Sequence, residues 1–564
     1  MNALRVSSYR KTPGAEWWGF LPLLFLGVFF LYPLGIIFIL VVKAGWTDGV
    51  GEAVWRQIAR PLGFTVYQAT LSTLLTLLPG LPIAWVFARF RFPGKRFLRV
   101  LMTLPFILPT VVVAAGFTAL LGPRGWLNLA LMSLFHTSEP PIRFLNTLGA
   151  ILTVHVFYNL SVIVRVVGAA WAGLDVRLEQ AARTLGASPW RAFWHVTVPL
   201  LLPHIVGATL LVFLFDFTSF GVVLLLGGPR FATLEVEIYI QTMQFLNLPL
   251  AALLSAVQLL CTLLVLGLSQ RLTTGAVVSL TPRVKGEGIF FPRTWIQWLT
   301  VGLTILVLVS LVLLPLGALV TRSLVRMEAS RGERGAVQAG WTLDYYRELF
   351  VNRRGSLFYV PPARAAVNSL GYAFATMWIA LGLGFPAAYA LNRRGASRTL
   401  LDALLMLPLG TSAVSLGLGY VVAFQRPPLD VASFPLLIPI AHSLVALPFV
   451  VRTLQPALAS IPRSLRDAAT VLGASPWRVW WHVDLPIVGR AVLVGAVFAF
   501  TVSMGEFGAT ALLARPEAPT LPVAIYRFLS QPGAMNYGQA MAMSTLLMAV
   551  CALGMLVLEH LQHE

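Results

Sequence analysis

Apolar runs recur along the whole chain, each close to the length of about 20 residues that an α-helix needs to cross a bilayer. The pattern predicts twelve such spans, near residues 19–43, 64–89, 98–122, 147–170, 199–226, 248–269, 296–320, 366–391, 400–424, 435–455, 487–512 and 540–558. Between spans six and seven lies a short polar stretch at 285–294, which divides the chain into units at 1–284 and 295–564. The composition agrees with this pattern. Of the 564 residues 57% are hydrophobic and 11% charged, with mean hydropathy +0.79, which no soluble globular domain matches.

The second signal is a repeat. The segment from Glu179 to Pro199 returns from Arg466 to Pro486 at a constant offset of 287, with about two-thirds of its positions identical. Such self-similarity marks a duplicated unit. The same offset pairs His155 with His442, Arg165 with Arg452, Phe220-Gly221 with Phe507-Gly508, and Tyr239 with Tyr526. Upstream the offset becomes 303: Leu104-Pro105 pairs with Leu407-Pro408, and Gly116 with Gly419. The longer first-half connection around 122–143 absorbs the difference and reads as a loop. Six spans per unit is an even number, so both units enter the membrane in the same direction. The repeats are therefore parallel and related by an axis along the membrane normal.

Formal charge is +19, but nucleic acid is not the expected partner. The basic residues cluster beside span ends, as orientation in a membrane requires. Arg5, Arg10 and Lys11 precede span one. Arg89, Arg91, Lys95, Arg96 and Arg99 follow span two, Arg271, Arg283, Lys285 and Arg293 separate the units, and Arg393, Arg394 and Arg398 follow span eight. This places both termini in the cytoplasm of a bacterial inner membrane. The loop at 322–365 then falls outside despite its arginines. Span one reads as a retained anchor, since no cleavage site follows it. Cys261 and Cys551 lie in apolar spans, away from any metal spacing.

Each copy of the repeated segment reads as helix, break, helix. Gly186 and Gly473 suit the left-handed residue that ends a helix. Ser188 and Ser475 then suit an N-cap, with Pro189 and Pro476 in the first turn. Trp190, Phe193, Trp194 and Val198 follow at helical spacing, as do Trp477 and Trp480 in the second copy. One reading is an interfacial aromatic anchor. The other is a rigid knob that a cytoplasmic partner grips, and two copies in one register favour it.

The knob is similar to the EAA loop of ABC importer permeases. The matching residues are Gln180-Ala181-Ala182 with Gly186, and Asp467-Ala468-Ala469 with Gly473; both copies lack the leading Glu. Two such loops in one chain resemble the fused permeases of the thiamine and ferric-iron importer group. His155 through Leu160, Ser219-Phe220-Gly221 and Thr233-Leu234-Glu235 resemble the thiamine permeases more closely. The resemblance implies an all-α polytopic protein with the type I importer permease fold. It further implies two copies of an ABC ATP-binding subunit docked on the cytoplasmic face, one per EAA loop, and an extracytoplasmic substrate-binding protein. The chain would bind no cofactor or metal, and ATP would be used by the partners. In agreement, no GxxxxGK[ST] loop and no catalytic constellation occurs. An ATP-independent secondary transporter with 6+6 repeats is the rival of another class.

Ionisable groups inside spans are costly and usually face a cavity or a partner. Asp216 and Glu506, with Ser219 at the register position of Glu506, are candidates for lining the path; packing between spans is the alternative. His155 and His442 form a symmetric pair that could serve the path, a metal, or helix packing. Glu235 and Glu237, in the connection after span five, read as solvated loop charges.

Overall fold

A computed structural model describes residues 19–45, 51–228, 230–274, 289–326, 340–351, 360–392, 396–431 and 433–563. The first unit comprises α1 (Phe20–Lys43), α2 (Glu52–Arg89), α3 (Lys95–Ile107), α4 (Thr110–Leu121), α5 (Trp126–Phe135), α6 (Leu148–Gly173) and α7 (Val176–Thr184). It continues with α8 (Pro189–Phe217), α9 (Gly221–Leu226), α10 (Leu234–Met243) and α11 (Leu248–Thr274). The second repeats the order as α12 (Trp295–Leu324), α13 (Pro362–Leu391), α14 (Ala396–Met406), α15 (Ala413–Ala423), α16 (Leu437–Ala459) and α17 (Arg463–Val471). It ends with α18 (Trp477–Gly505), α19 (Gly508–Leu513), α20 (Leu521–Leu529) and α21 (Ala534–His563). Eleven described helices are long and apolar enough to span a membrane, or twelve if one bent pair counts as a span. Apart from one short antiparallel strand pair, Val325–Arg326 with Gly340–Trp341, the described residues form a helical membrane bundle.

The bent pair corrects the third span of each unit, expected to be continuous. Residues 398–410 and 413–423 meet at 97°. In the first unit α3 stops at Ile107 and α4 starts at Thr110, across an extended Leu108-Pro109. Pro109 has no N–H to continue the helix, and the residue before a proline disfavours the helical region. Spans five and eleven also end early. Their helices stop at Phe217 and Gly505, and α9 and α19 restart as separate short pieces. The connection at 122–143 is not a plain loop but carries α5. Buried Asn128 organises it, donating to the Gly122 and Ile142 carbonyls at 2.8 and 2.9 Å and accepting from Ile142 N–H at 2.9 Å.

The first span of each unit packs on the other unit. Leu26 and Phe30 of α1 are buried among Leu383, Leu401, Leu416 and Tyr420. Val301, Leu308 and Leu319 of α12 join the core around Val112 and Val113 of α4. The crossings are symmetric: a Cβ on Gly116 would lie 3.0 Å from the Pro315 carbonyl oxygen, and one on Gly419 3.1 Å from Pro33. Any larger residue would push these helices apart. Residues 289–294 of the expected connection are described, while 285–288 lie outside the described residues. Phe290 is tied to the end of α2, donating to Arg89 O and accepting from Arg91 N, both at 2.9 Å. Arg5, Arg10, Lys11, Arg283, Lys285, Arg393 and Arg394 also lie outside the described residues.

Candidate functional site

At one end of the bundle two corners project. α7 closes on Gly186 at φ +93° and α17 on Gly473 at φ +82°. The hydrogen bonds are those of a Schellman ending: Ala187 N to Ala182 O and Gly186 N to Arg183 O, each 3.0 Å, matched by Ala474 to Ala469 and Gly473 to Thr470 at 3.0 Å. Ser188 and Ser475 then cap the next turn, accepting from Arg191 N at 3.3 Å and Arg478 N at 3.4 Å. Gln180 and Ala181, like Asp467 and Ala468, are exposed, while Ala182 and Ala469 are half-buried. Leu185, Val471 and Leu472 are 86–89% exposed at the tips. Trp190 stacks on Phe193 at 6.0 Å, and Trp477 on Trp480 at 5.0 Å. The corners are apolar-tipped, with Leu185, Val471 and Leu472 open to solvent.

Deeper in the bundle each histidine sits between two positions of the following span. His155 Nδ1 lies 3.3 Å from Asp216 Oδ1 and 3.0 Å from Ser72 Oγ, and its Nε2 lies 2.8 Å from Ser219 Oγ. Asn159 donates to Asp216 Oδ1 at 2.7 Å, and Gln68 donates to the Asp216 carbonyl at 2.7 Å. His442 Nδ1 lies 2.8 Å from Ser503 Oγ, and its Nε2 lies 3.0 Å from Glu506 Oε2 and 2.8 Å from Thr510 Oγ1. Ser503 is the register partner of Asp216, and Glu506 of Ser219 (both offsets 287). Acid and hydroxyl have exchanged places, so each histidine keeps one of each. Among the described residues no three His, Cys, Asp or Glu side chains come together as a metal set.

Asp216 and Glu506 therefore belong to two separate clusters and do not form one converging pair. Asp216, 1% exposed, is enclosed by α2 and α6. The Glu506 carboxylate instead accepts from Ala509 N at 2.8 Å and Thr510 N at 3.1 Å, and it borders a cavity of about 310 Å³. Tyr158 and Val445, which share one register position, both line that cavity, so it lies on the pseudo-twofold axis. Phe106, Phe449 and Phe498 complete an apolar wall.

The axis is plugged just beyond this cavity, on the side away from the corners. Phe220 stacks on its register partner Phe507 at 5.4 Å and 25°. Tyr239 and Tyr526, also partners, flank them at 5.4 and 5.6 Å. A second cavity of about 530 Å³, lined by Tyr526, Arg124 and Arg322, lies past the plug. The repeat offset had paired these aromatics. Their position follows from the rule that symmetry partners in mutual contact must sit on the axis.

Glu235 is corrected from solvated loop charge to a 2% exposed residue of α10, accepting from Gln258 at 2.8 Å. α10 lies back against α11 and buries its first turn, so the carboxylate faces protein. Glu237 accepts from Gln241 at 2.7 Å.

Comparison with known proteins gives the following. The model of the family described as "Binding-protein-dependent transport system inner membrane component" matches residues 80–277 and 380–563, which omits α1 and α12. The thiamine transport system permease protein ThiP of Brucella abortus is 29% identical over 512 residues, covering 89% of this chain and 87% of that one. ThiP of Escherichia coli is 27% identical over 519 residues, 90% of each chain. A probable ABC transporter permease of Sinorhizobium fredii, y4fN, is 28% identical over 495 residues, 85% of this chain and 83% of that one.

Proposed function

The chain belongs to the family of binding-protein-dependent transport system inner membrane components, and on that premise we propose that it forms the translocation path for a monovalent aromatic cation, thiamine. It is an ABC importer permease with two fused repeats, which sets aside the ATP-independent transporter. The axial cavity carries the substrate reading. One carboxylate, Glu506, borders a wall of Phe106, Tyr158, Phe449 and Phe498. A cationic ring gains from both a fixed carboxylate and aromatic faces. Ferric iron is a hard, highly charged ion that would call for several oxygen ligands, and this cavity supplies one carboxylate. The ThiP relatives support the same choice.

The corners at Gly186 and Gly473 each receive one ATP-binding subunit, and a substrate-binding protein docks at the opposite end. Arg89, Arg91, Lys95, Arg96 and Arg99 cluster at the corner end, which supports a cytoplasmic location for that end. With the plug stacked and the cavity on the corner side, this conformation is sealed toward the outside. ATP-driven approach of the two subunits moves the corners, and the helices rising from them carry Phe220 and Phe507 apart. The test is reconstitution with the ATPase and binding protein in liposomes, with labelled thiamine and labelled ferric chelate as competing substrates. Thiamine uptake that requires ATP is expected; uptake of iron without thiamine would overturn the assignment.

A further inference from the structure

The two corners are fastened to the bundle by different chemistry. In the second unit Asp484, 4% exposed, accepts from Arg466 Nε at 2.7 Å and from the Tyr389 hydroxyl. The Arg466 guanidinium lies 5.9 Å over the Tyr389 ring. This triad ties the corner to the bundle. At the same register positions the first unit has Thr197 and Glu179 (offset 287) and, with Gly80 and Pro82 aligned on Gly384 and Pro386 at an offset of 304, Trp85. Thr197 brings no charge, and Glu179 turns to Arg89 at 3.7 Å. A cavity of about 400 Å³ is left open there.

Its inner wall is Trp85, Trp171 and Phe193, and Arg89, Arg183 and Arg293 surround its mouth with Glu179. Three guanidiniums against one carboxylate leave an excess of two positive charges (3 − 1). The second unit has Leu458 and Thr470 where the first has Trp171 and Arg183. Arg293 is delivered by the connection between the units, which the Phe290 pairing holds against α2. The cavity lies where α2 and α6 end and α12 begins, beside Phe291 and Trp295, 62% and 74% exposed. That is the headgroup level of a bilayer.

We propose that this cavity binds the phosphate of an anionic phospholipid. Basic pockets between membrane helices on the cytoplasmic side suit such headgroups. Guanidiniums take phosphate oxygens in paired hydrogen bonds, and the exposed aromatics beside the mouth accompany the acyl chains. The lipid fastens the first corner as the Arg466–Asp484–Tyr389 triad fastens the second. The inference needs only the membrane placement and is independent of the transported solute.

The test uses the full chain with its ATPase partner in mixed micelles of phosphatidylglycerol and phosphatidylcholine, with retained lipid counted by native mass spectrometry. One phosphatidylglycerol per chain is expected. R183Q/R293Q should weaken its retention about tenfold or more, the effect of losing two headgroup-facing charges; R183K/R293K, which keeps the charges but not the paired bonds, should retain it better than R183Q/R293Q and less well than wild type. Rebuilding the triad with W85Y/E179R/T197D should expel the lipid although net charge rises, which a diffuse electrostatic attraction does not predict. Equal retention in R183Q/R293Q and wild type would overturn the proposal. So would displacement of the lipid by millimolar inorganic phosphate, since the ligand would then be a soluble phosphate.

Discussion

Glu506→Gln and Asp216→Asn should have different effects, although both remove a carboxylate from paired spans. A cation held about 4 Å from the Glu506 carboxylate gains about 4 kcal/mol at an effective dielectric of about 20. Lost hydration of the cation offsets part of this. Taking about half, Glu506→Gln lowers uptake about 10- to 30-fold at subsaturating substrate. Ala509 N and Thr510 N donate to different carboxylate oxygens, so a glutamine keeps one of these bonds and loses the other together with the charge beside His442, and folding loses about 1–3 kcal/mol. Asp216 does not border the axial cavity. Its loss weakens the bonds from Asn159 and His155, costing about 1–3 kcal/mol of stability. The assay is uptake in proteoliposomes normalised to assembled permease–ATPase complex, with thermal unfolding measured in parallel. Asp216→Asn should lower the yield of folded complex and leave normalised uptake within about twofold. An uncharged analogue of the same rings should be insensitive to Glu506→Gln. The reasoning fails if Glu506→Gln transports normally, or if Asp216→Asn slows normalised uptake equally.

Three further outcomes follow from the geometry. Gly186→Val with Gly473→Val places β-branched residues at positive φ, at about 1–2 kcal/mol per site or more, and should abolish co-purification of the ATPase while insertion persists; Gly186→Asn should be tolerated, and equal behaviour of the two would contradict the corner assignment. Phe220→Ala with Phe507→Ala removes the axial stack, worth about 0.5–1.5 kcal/mol beyond its buried area, and should give an ATP-independent leak of substrate from loaded liposomes; a tight membrane would place the seal elsewhere. In a chain lacking Cys261 and Cys551, cysteine at Phe245 should be labelled from outside intact cells and cysteine at Leu185 only after permeabilisation, because these exposed positions lie at opposite ends; the reverse pattern would invert the orientation.

The parts of the site that were legible in the sequence are local ones. The corner needs only Gly186, Ser188 and Pro189 in order, and each enforces its geometry through its own backbone. The breaks after Ile107 and Phe217 were not legible, because hydropathy is blind to where an apolar run bends. Leu108 and Phe220 are as apolar as their neighbours, and Pro109, which does end the first helix, is one of several prolines in the spans, among them Pro105 inside α3. Glu235 was misread because its partner, Gln258, lies on the next helix, and only packing brings the two together. The repeat offset already aligned Ser219 with Glu506. That His442 bridges Ser503 and Glu506, and His155 their exchanged counterparts, needed the fold.

Duplication within one chain explains why the exchange matters. Two identical subunits about a twofold axis would place the same residue twice at every axial position. A glutamate at position 219 as well as 506 would set two like charges beside one narrow cavity, and like charges repel strongly at low dielectric. Fusion lets the halves differ. The first half moves its acid three residues back, to Asp216, where Asn159 and Gln68 enclose it away from the cavity. The second keeps its acid at Glu506, facing the cavity. Each histidine still contacts one acid and two hydroxyls, so neither half gives up its internal bonding. On the proposed reading a cation in the axial cavity meets Glu506, the one carboxylate among the residues that line it, held beside His442 and without a symmetric counterpart at Ser219.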